Sequence, residues 1–480
     1  MDSSRRLIFQ GLAAGLALLI SFSAGAQTIP RPPQFVLLGY DGSKDNSMWE
    51  RTRKFARETG AKLTYFVSGV YFLTEANKMQ YHPPAGKSAG HSDIGFGGSQ
   101  ADLEQRLKEV MQAKQEGNEM ASHVNGHFDG SQWSYADWAQ EFSEFDRLML
   151  NVHQNNHLDA AGSQAWQEAL KNSMIGFRAP LLGTSSGMYQ VLQEKKYSYD
   201  TSQTSAPSDW PRKSKYGYWD FPLATLIIAG TAKHTLSMDY NFYYADSAGQ
   251  PDADPAHIKL FEDRMYQTYI NYFTKNYSGN RAPVHIGHHF SMWNGGAYLR
   301  AFEHFGRTVC GLAEVKCVAY EELTQFMNQQ NSATLSQWQA GQFEKLAKLP
   351  SGLALTETKD IQLKVASASA SDARIQLTGE DSKELLAHGY TLDFAVNGQS
   401  TAVIKTVSNR SDRLQISLAT LWKGRPFVLS VSLKDQTTHE VQRADHLITF
   451  SDAGFEVQAV NLNEKMRLTA DPPEAHTEGQ

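Results

Sequence analysis

Two cysteines in 480 residues are too few to build a disulfide-stapled scaffold, and a chain of this length can bury a large apolar core without one. A cationic excess is also lacking. Lys and Arg number 45 against 51 Asp and Glu, for a formal net charge of -6, which argues against a surface built to neutralise nucleic-acid phosphates. Long hydrophobic runs are absent. The longest, Gly11 to Phe22, falls short of the about 20 residues that a membrane-spanning helix needs. It lies between Arg5-Arg6 and Ala24-Gly25-Ala26, the layout of an export signal and its cleavage site, so residues 1–26 read as a signal peptide. The mature protein is then expected in the periplasm or outside the cell, with no membrane span. In that oxidising setting Cys310 and Cys317, seven apart, are expected to form a disulfide. Internal repeats and low-complexity tracts are lacking too.

Aromatic residues become scarce beyond residue 350: eight of nine Trp and nineteen of twenty Tyr precede it. In their place come short alternating runs, Ile361 to Val365, Leu414 to Leu418 and Leu429 to Leu433, the period-2 pattern of half-buried strands, with a hairpin signal at Asn397-Gly398. Residues 345–465 are therefore expected to form a β-sandwich-like domain, and residues 470–480 a disordered tail. The first 330 residues alternate strand and helix patterns. Phe35 to Leu38 and Lys62 to Val67 read as strands. Ser47 to Thr59 and Leu103 to Gln115 read as helices, the second closed by Gly117. Such alternation implies a largely parallel α/β sheet or barrel, with functional residues at the C-terminal ends of its strands.

Five pieces carry chemistry. Asp41 stands at a strand end beside Gly42. His123 and His127, four apart, are spaced to offer two imidazoles to one metal, and Val124 and Gly126 between them exclude the H-E-x-x-H pattern. Arg178 precedes Ala179-Pro180, Asp200 lies in Tyr199-Asp200-Thr201-Ser202, and His285-Ile286-Gly287-His288-His289 ends an apolar strand. His288 and His289 must point to opposite faces of that strand.

The order and spacing of these pieces resemble the polysaccharide deacetylase family, carbohydrate esterase family 4, and especially its chitin deacetylase-like branch. The lead-in Gly117 to His123 and the strand Ala61 to Gly69 match as well, so the resemblance covers roughly residues 30–330. It implies a distorted (β/α) barrel of the polysaccharide deacetylase type, here followed by the smaller all-β domain. It also implies one divalent metal ion, commonly zinc, and hydrolysis of N-acetyl or O-acetyl groups on a polysaccharide such as chitin, peptidoglycan, an exopolysaccharide or xylan. Carried over residue by residue, His123 and His127 are metal ligands, Asp41 is base or ligand, and His289 is the general acid. Arg178 lines the groove, and Asp200 orients a partner by hydrogen bonding. Trp133, Trp138 and Trp293 are candidates to stack on sugar rings.

The chain also departs from the family pattern. Two adjacent aspartates, base and ligand, usually precede the glycine of the first motif, whereas here Asp41 stands alone. In one register Asp41 is the base and Gly42 replaces the ligand; in the other Asp41 is the ligand and Tyr40 replaces the base. Asp45 and Asp129 are nearby candidates to substitute. The hydroxyl residue of H-[ST]-x-x-H is Val124, and the tyrosine of R-x-P-Y is Leu181. A non-catalytic glycan-binding relative with a degenerate metal site is the alternative reading.

Overall fold

The computed structural model describes residues 29–346 and 350, apart from residues 172, 232 and 253, and beyond them the backbone of eight strands between residues 362 and 459. The expected signal peptide and tail lie outside the described residues.

Seven parallel strands form the central sheet: β1 (Gln34–Gly42), β2 (Leu63–Val67), β3 (Glu119–Ser122), β4 (Gly176–Phe177), β5 (Tyr199–Asp200), β6 (Trp219–Asp220) and β7 (Val284–His289). Their order is β7-β1-β2-β3-β4-β5-β6. Arg212–Lys213 adds antiparallel to β6, and a short strand β8 (Val315–Cys317) also pairs with β1. The sheet curls without closing through its own ladder. A small three-stranded sheet (residues 204–205, 223–227 and 234–236) lies across the opening, and Gly287 N–H of β7 donates to Ser237 O at 2.9 Å. The fold is thus a distorted (β/α) barrel.

Alternation along β1 sorts its residues. Val36, Leu38 and Tyr40 pack outward with the helices, while Phe35 and Leu37 join Phe66, Ala121 and Tyr199 in the cluster inside the curl. Asp41 therefore opens inward, two residues beyond Gly39.

Helix α1 (Asn46–Thr59) begins at Asp45, whose carboxylate accepts the amides of Ser47 and Met48, and buries Met48, Trp49, Phe55 and Ala56. Helix α2 (Gln100–Gln115) starts with a Ser99–Asp102 capping box and ends before Gly117, at φ 83°. Helix α3 (Tyr135–Leu150) has a second capping box, Ser134–Asp137, and lays Trp138, Phe142, Phe145, Leu148 and Met149 on the core. Burying each such side chain stabilises by roughly 1.5–3 kcal/mol. Two long helices, α4 (Pro255–Ser278) and α5 (Trp293–Val309), flank β7. Among the described residues no helix is long and apolar enough to cross a membrane.

The C-terminal strands are antiparallel throughout and make a three-stranded sheet (362–368, 372–378, 413–417) and a five-stranded one (391–396, 399–400, 427–434, 440–451, 454–459). Val396 pairs with Gln399 across the Asn-Gly dipeptide.

Candidate active site

The site gathers at the C-terminal ends of β1, β3, β4 and β7. β1 and β7 are neighbours in register, with Asp41 opposite His289. Register partners on parallel strands share a face, so the two side chains stand together inside the curl. Tyr40 and His288 share the other face. There His288 Nε2 meets Tyr269 OH at 3.1 Å and its ring lies 4.3 Å from Phe302, so it is His289 that faces the site.

Arg178, just beyond β4, is fully buried and points at Asp41: Nη1 donates to Oδ1 at 2.7 Å. The guanidinium also donates to Thr201 Oγ1 (2.9 and 3.3 Å) and Tyr320 OH (3.3 Å), and stacks 4.2 Å over Phe66. Burial works most strongly against its charge, but Asp41 together with Tyr320 and Tyr199 outweighs it and the guanidinium stays protonated. Glycine at 287 makes room for it, since a Cβ there would lie 3.0 Å from Arg178 Nη1.

His289 has an equivalent partner of opposite sign. Its Nδ1 donates to Asp239 Oδ1 at 2.7 Å, and its backbone N–H to Oδ2 at 2.9 Å. Burial would raise the Asp239 carboxyl, but His289 and His288 together with the hydrogen bonds from His289 hold it below the usual range. This bond fixes the His289 tautomer and leaves proton exchange to Nε2. Sequence reasoning missed Asp239. It occupies the same kind of place as Asp41, just past the short strand His234–Leu236, and that placement was the available signal.

His123 and His127 complete the cluster, ring centroids 5.2 Å apart. His123 Nδ1 lies 2.7 Å from the carbonyl of Arg178; a carbonyl only accepts, so Nδ1 carries the proton and Nε2 keeps its lone pair. Burial, partly offset by Asp41, pushes the His123 imidazole down to about 4, and burial with the neighbouring His123 and His289 pushes His127 well below its ordinary value. Both rings are neutral near pH 7.

Two imidazoles are not a metal site by themselves. Among the described residues no group of three or more His, Cys, Asp or Glu side chains is gathered to hold an ion. Asp41 is committed to Arg178, and Gly42 has no side chain. The set does not fit the three protein ligands of a catalytic zinc.

The remaining expectations fall elsewhere. Asp200 does not meet a histidine. Its Oδ1 takes the Ser202 hydroxyl and amide, and Ser202 Oγ accepts Ala179 N–H at 2.8 Å, so the partner it holds is Ser202, which in turn holds the residue after Arg178. Four strands of the sheet lie between β5, which carries Asp200, and β7. Asp45 caps α1, and exposed Asp129 accepts the Ser131 amide, so neither replaces the absent carboxylate. Trp133 and Trp138 are buried against one another, whereas half-buried Trp293 stacks on Tyr243 and lies 5.4 Å from His289. Cys310 and Cys317 are joined as a disulfide.

No family model matches the chain, and no curated protein matches it. Solved structures do. A proposed polysaccharide deacetylase from Mycobacterium smegmatis is 10% identical with a TM-score of 0.39, the match covering 68% of this chain and 100% of that one. A family 4 carbohydrate esterase from Streptomyces lividans, in complex with acetate, is 12% identical with a TM-score of 0.30, over 59% and 91%. A carbohydrate esterase family 4 pseudoenzyme from Bacillus anthracis is 8% identical with a TM-score of 0.32, over 61% and 66%. These three solved structures, similar to this chain at low identity, are thus a proposed polysaccharide deacetylase, a family 4 carbohydrate esterase and a family 4 pseudoenzyme.

Proposed function

We propose that the chain hydrolyses acetyl groups, N-linked before O-linked, from a polysaccharide. The observation that carries this reading is the pairing of Asp41 with His289 on adjacent strands, each held by its own buried counter-charge, Arg178 and Asp239. Asp41 takes a proton from the attacking water as the new C–O bond forms. His289 delivers a proton through Nε2 to the departing amine or alkoxide as the acyl bond breaks. Arg178 orients Asp41 through one carboxylate oxygen, and this supports the register in which Asp41 is the base and Gly42 stands where a ligand would be. No step is routed through a metal. We take the protein to be exported on the signal-peptide layout of residues 1–26, which agrees with a polysaccharide substrate; N-terminal sequencing of the exported protein checks the cleavage at Ala26.

The two-donor set favours a second reading, a glycan-binding protein without turnover. Acetate release from acetylated chitin oligomers, peptidoglycan, exopolysaccharide and xylan separates the two. The hydrolase reading expects release from at least one polymer, and a fall of about 10²-fold or more in Asp41→Asn and in His289→Gln, with the fold retained. Glycan binding with no release from any polymer supports the second reading.

A further inference from the structure

Glu141 lies in the middle of α3 on its apolar face, between Trp138 and Phe142, and its side chain is completely buried. A carboxylate in that place is costly unless its lone pairs are used. Oε1 accepts the backbone N–H of Asn125 (3.0 Å) and of Gly126 (3.3 Å), and Oε2 accepts the hydroxyl of buried Tyr81 (2.8 Å). The Asn125 side chain returns a bond from Nδ2 to the Glu141 carbonyl (2.8 Å). The residues it grips are those between His123 and His127.

That loop needs an external support. Val124 stands at φ 46° and His127 at φ 59°, left-handed backbone that a β-branched residue such as Val124 adopts only when surrounding contacts impose it. The loop carbonyls are held from other directions: Gly69 N–H donates to Val124 O (2.7 Å) and Asp93 N–H to Gly126 O (2.9 Å). The two central amides, by contrast, both go to Glu141, with the Tyr81 hydroxyl that Glu141 itself holds as a further acceptor beside Gly126 N–H. We infer that Glu141 is a positioning residue, an internal anchor that fixes the turn between His123 and His127 and thereby sets how the two imidazoles face Asp41 and His289. It touches none of the reacting groups.

The role requires an acceptor, not a charge, and this makes it testable in the full chain. Glu141→Gln keeps a carbonyl for the two amides and offers its NH₂ to Tyr81 OH, whereas Glu141→Leu keeps the volume and offers nothing. Hydrogen–deuterium exchange read by mass spectrometry on the peptide spanning 123–128 is expected to accelerate roughly tenfold or more in Glu141→Leu, and to stay within about threefold of wild type in Glu141→Gln. Exchange in β2 should not change. If Glu141→Leu does not fold, Glu141→Asp, one methylene too short to reach both amides, is read the same way. Unchanged exchange at 123–128 in a folded Leu or Asp variant overturns the proposal, as does a Gln variant as fast as Leu.

An activity measurement rests additionally on the hydrolase reading. In it kcat falls in Glu141→Leu with KM little changed, and Glu141→Gln restores it. Should the wild type release no acetate while the exchange difference holds, the hydrolase reading fails and the anchor stands.

Discussion

At Gly42 the backbone turns through φ 81°, one residue after Asp41, where one of the two registers of the resemblance puts a metal-binding carboxylate. Aspartate enters left-handed backbone at a cost of about 1–2 kcal/mol, which a core of this size can carry. The full chain, loaded with zinc and then dialysed, is therefore expected to retain well below one equivalent by elemental analysis, and Gly42→Asp to raise the retained amount. One tightly held equivalent in the wild type, lost in the His123→Ala, His127→Ala double variant, would show that the histidine pair recruits a third donor after all. Other buried carboxyls bear on stability, Glu119 with Glu141 and Asp200 among them. Glu119 is completely buried, and burial pushes it up to about 7, against bonds from Glu321 N–H, Tyr199 OH and Thr64 Oγ1. Between its unfolded value near 4.3 and about 7 the folded protein holds a proton that the unfolded chain has released, so stability falls as pH rises through that window. The loss from this residue is on the order of 3 kcal/mol. Glu119→Gln should make the urea-midpoint profile less steep between pH 5 and 7 than in wild type, the remaining slope coming from Glu141 and Asp200; identical slopes would mean that Glu119 ionises freely in the fold.

At the level of elements, legibility followed periodicity and ended where contacts are long-range. β1, β2, α1 and α2 lie within a few residues of the spans that short apolar runs and helical spacing predict, because the two strands are buried on both faces and each helix buries one regular face. β4, β5 and β6 are two residues long, too short for any period to register, and exist because neighbours in a curled sheet pair with them. The site divides in the same way. Asp41, Arg178, His123, His127 and His289 sit at strand ends in a recognisable order. Asp239 answers His289 across 50 residues of sequence, and Glu141 answers Asn125 across 16, with no motif to announce either. A charged residue on the apolar stripe Trp138, Phe142, Phe145 was a usable hint for Glu141. The disulfide belongs to this scale too. It ties Cys310, at the end of α5, to Cys317 in β8, the short strand that lies against the start of β1. Closing so small a loop stabilises by roughly 2–3 kcal/mol in the chain-entropy account. Cys310→Ala with Cys317→Ala should lower Tm by several degrees without changing acetate release, since neither sulfur is near Asp41 or His289 in the barrel. An unchanged Tm would mean that the strand pairing alone fixes this corner.

For the molecule as a whole, the question is where the barrel ends. The helix Ser332–Gln339 does not lead away from it: Trp338 stacks on Phe326 and Trp210, and its indole donates to Pro30 O at 2.9 Å. Phe343 bridges to Ile29, and Arg31 donates to Glu344 O and pairs with Glu314. The chain therefore returns to the beginning of β1 before it runs on to the antiparallel strands, and a cut at residue 330 would strip the cover from Phe35 and Trp210. A cut after residue 346 keeps every one of these contacts. We expect a chain of residues 27–346 to be soluble, to unfold in one cooperative transition, and to keep the wild-type rate on short acetylated oligosaccharides, because Asp41, Arg178, Asp239 and His289 all lie within it. A chain of residues 27–330 should unfold at a clearly lower temperature or fail to fold, since it exposes the buried faces of Phe35 and Trp210. If 27–346 is insoluble while the full chain is not, the C-terminal sheets form an obligatory part of the same folding unit, and the barrel cannot be treated as a separate domain.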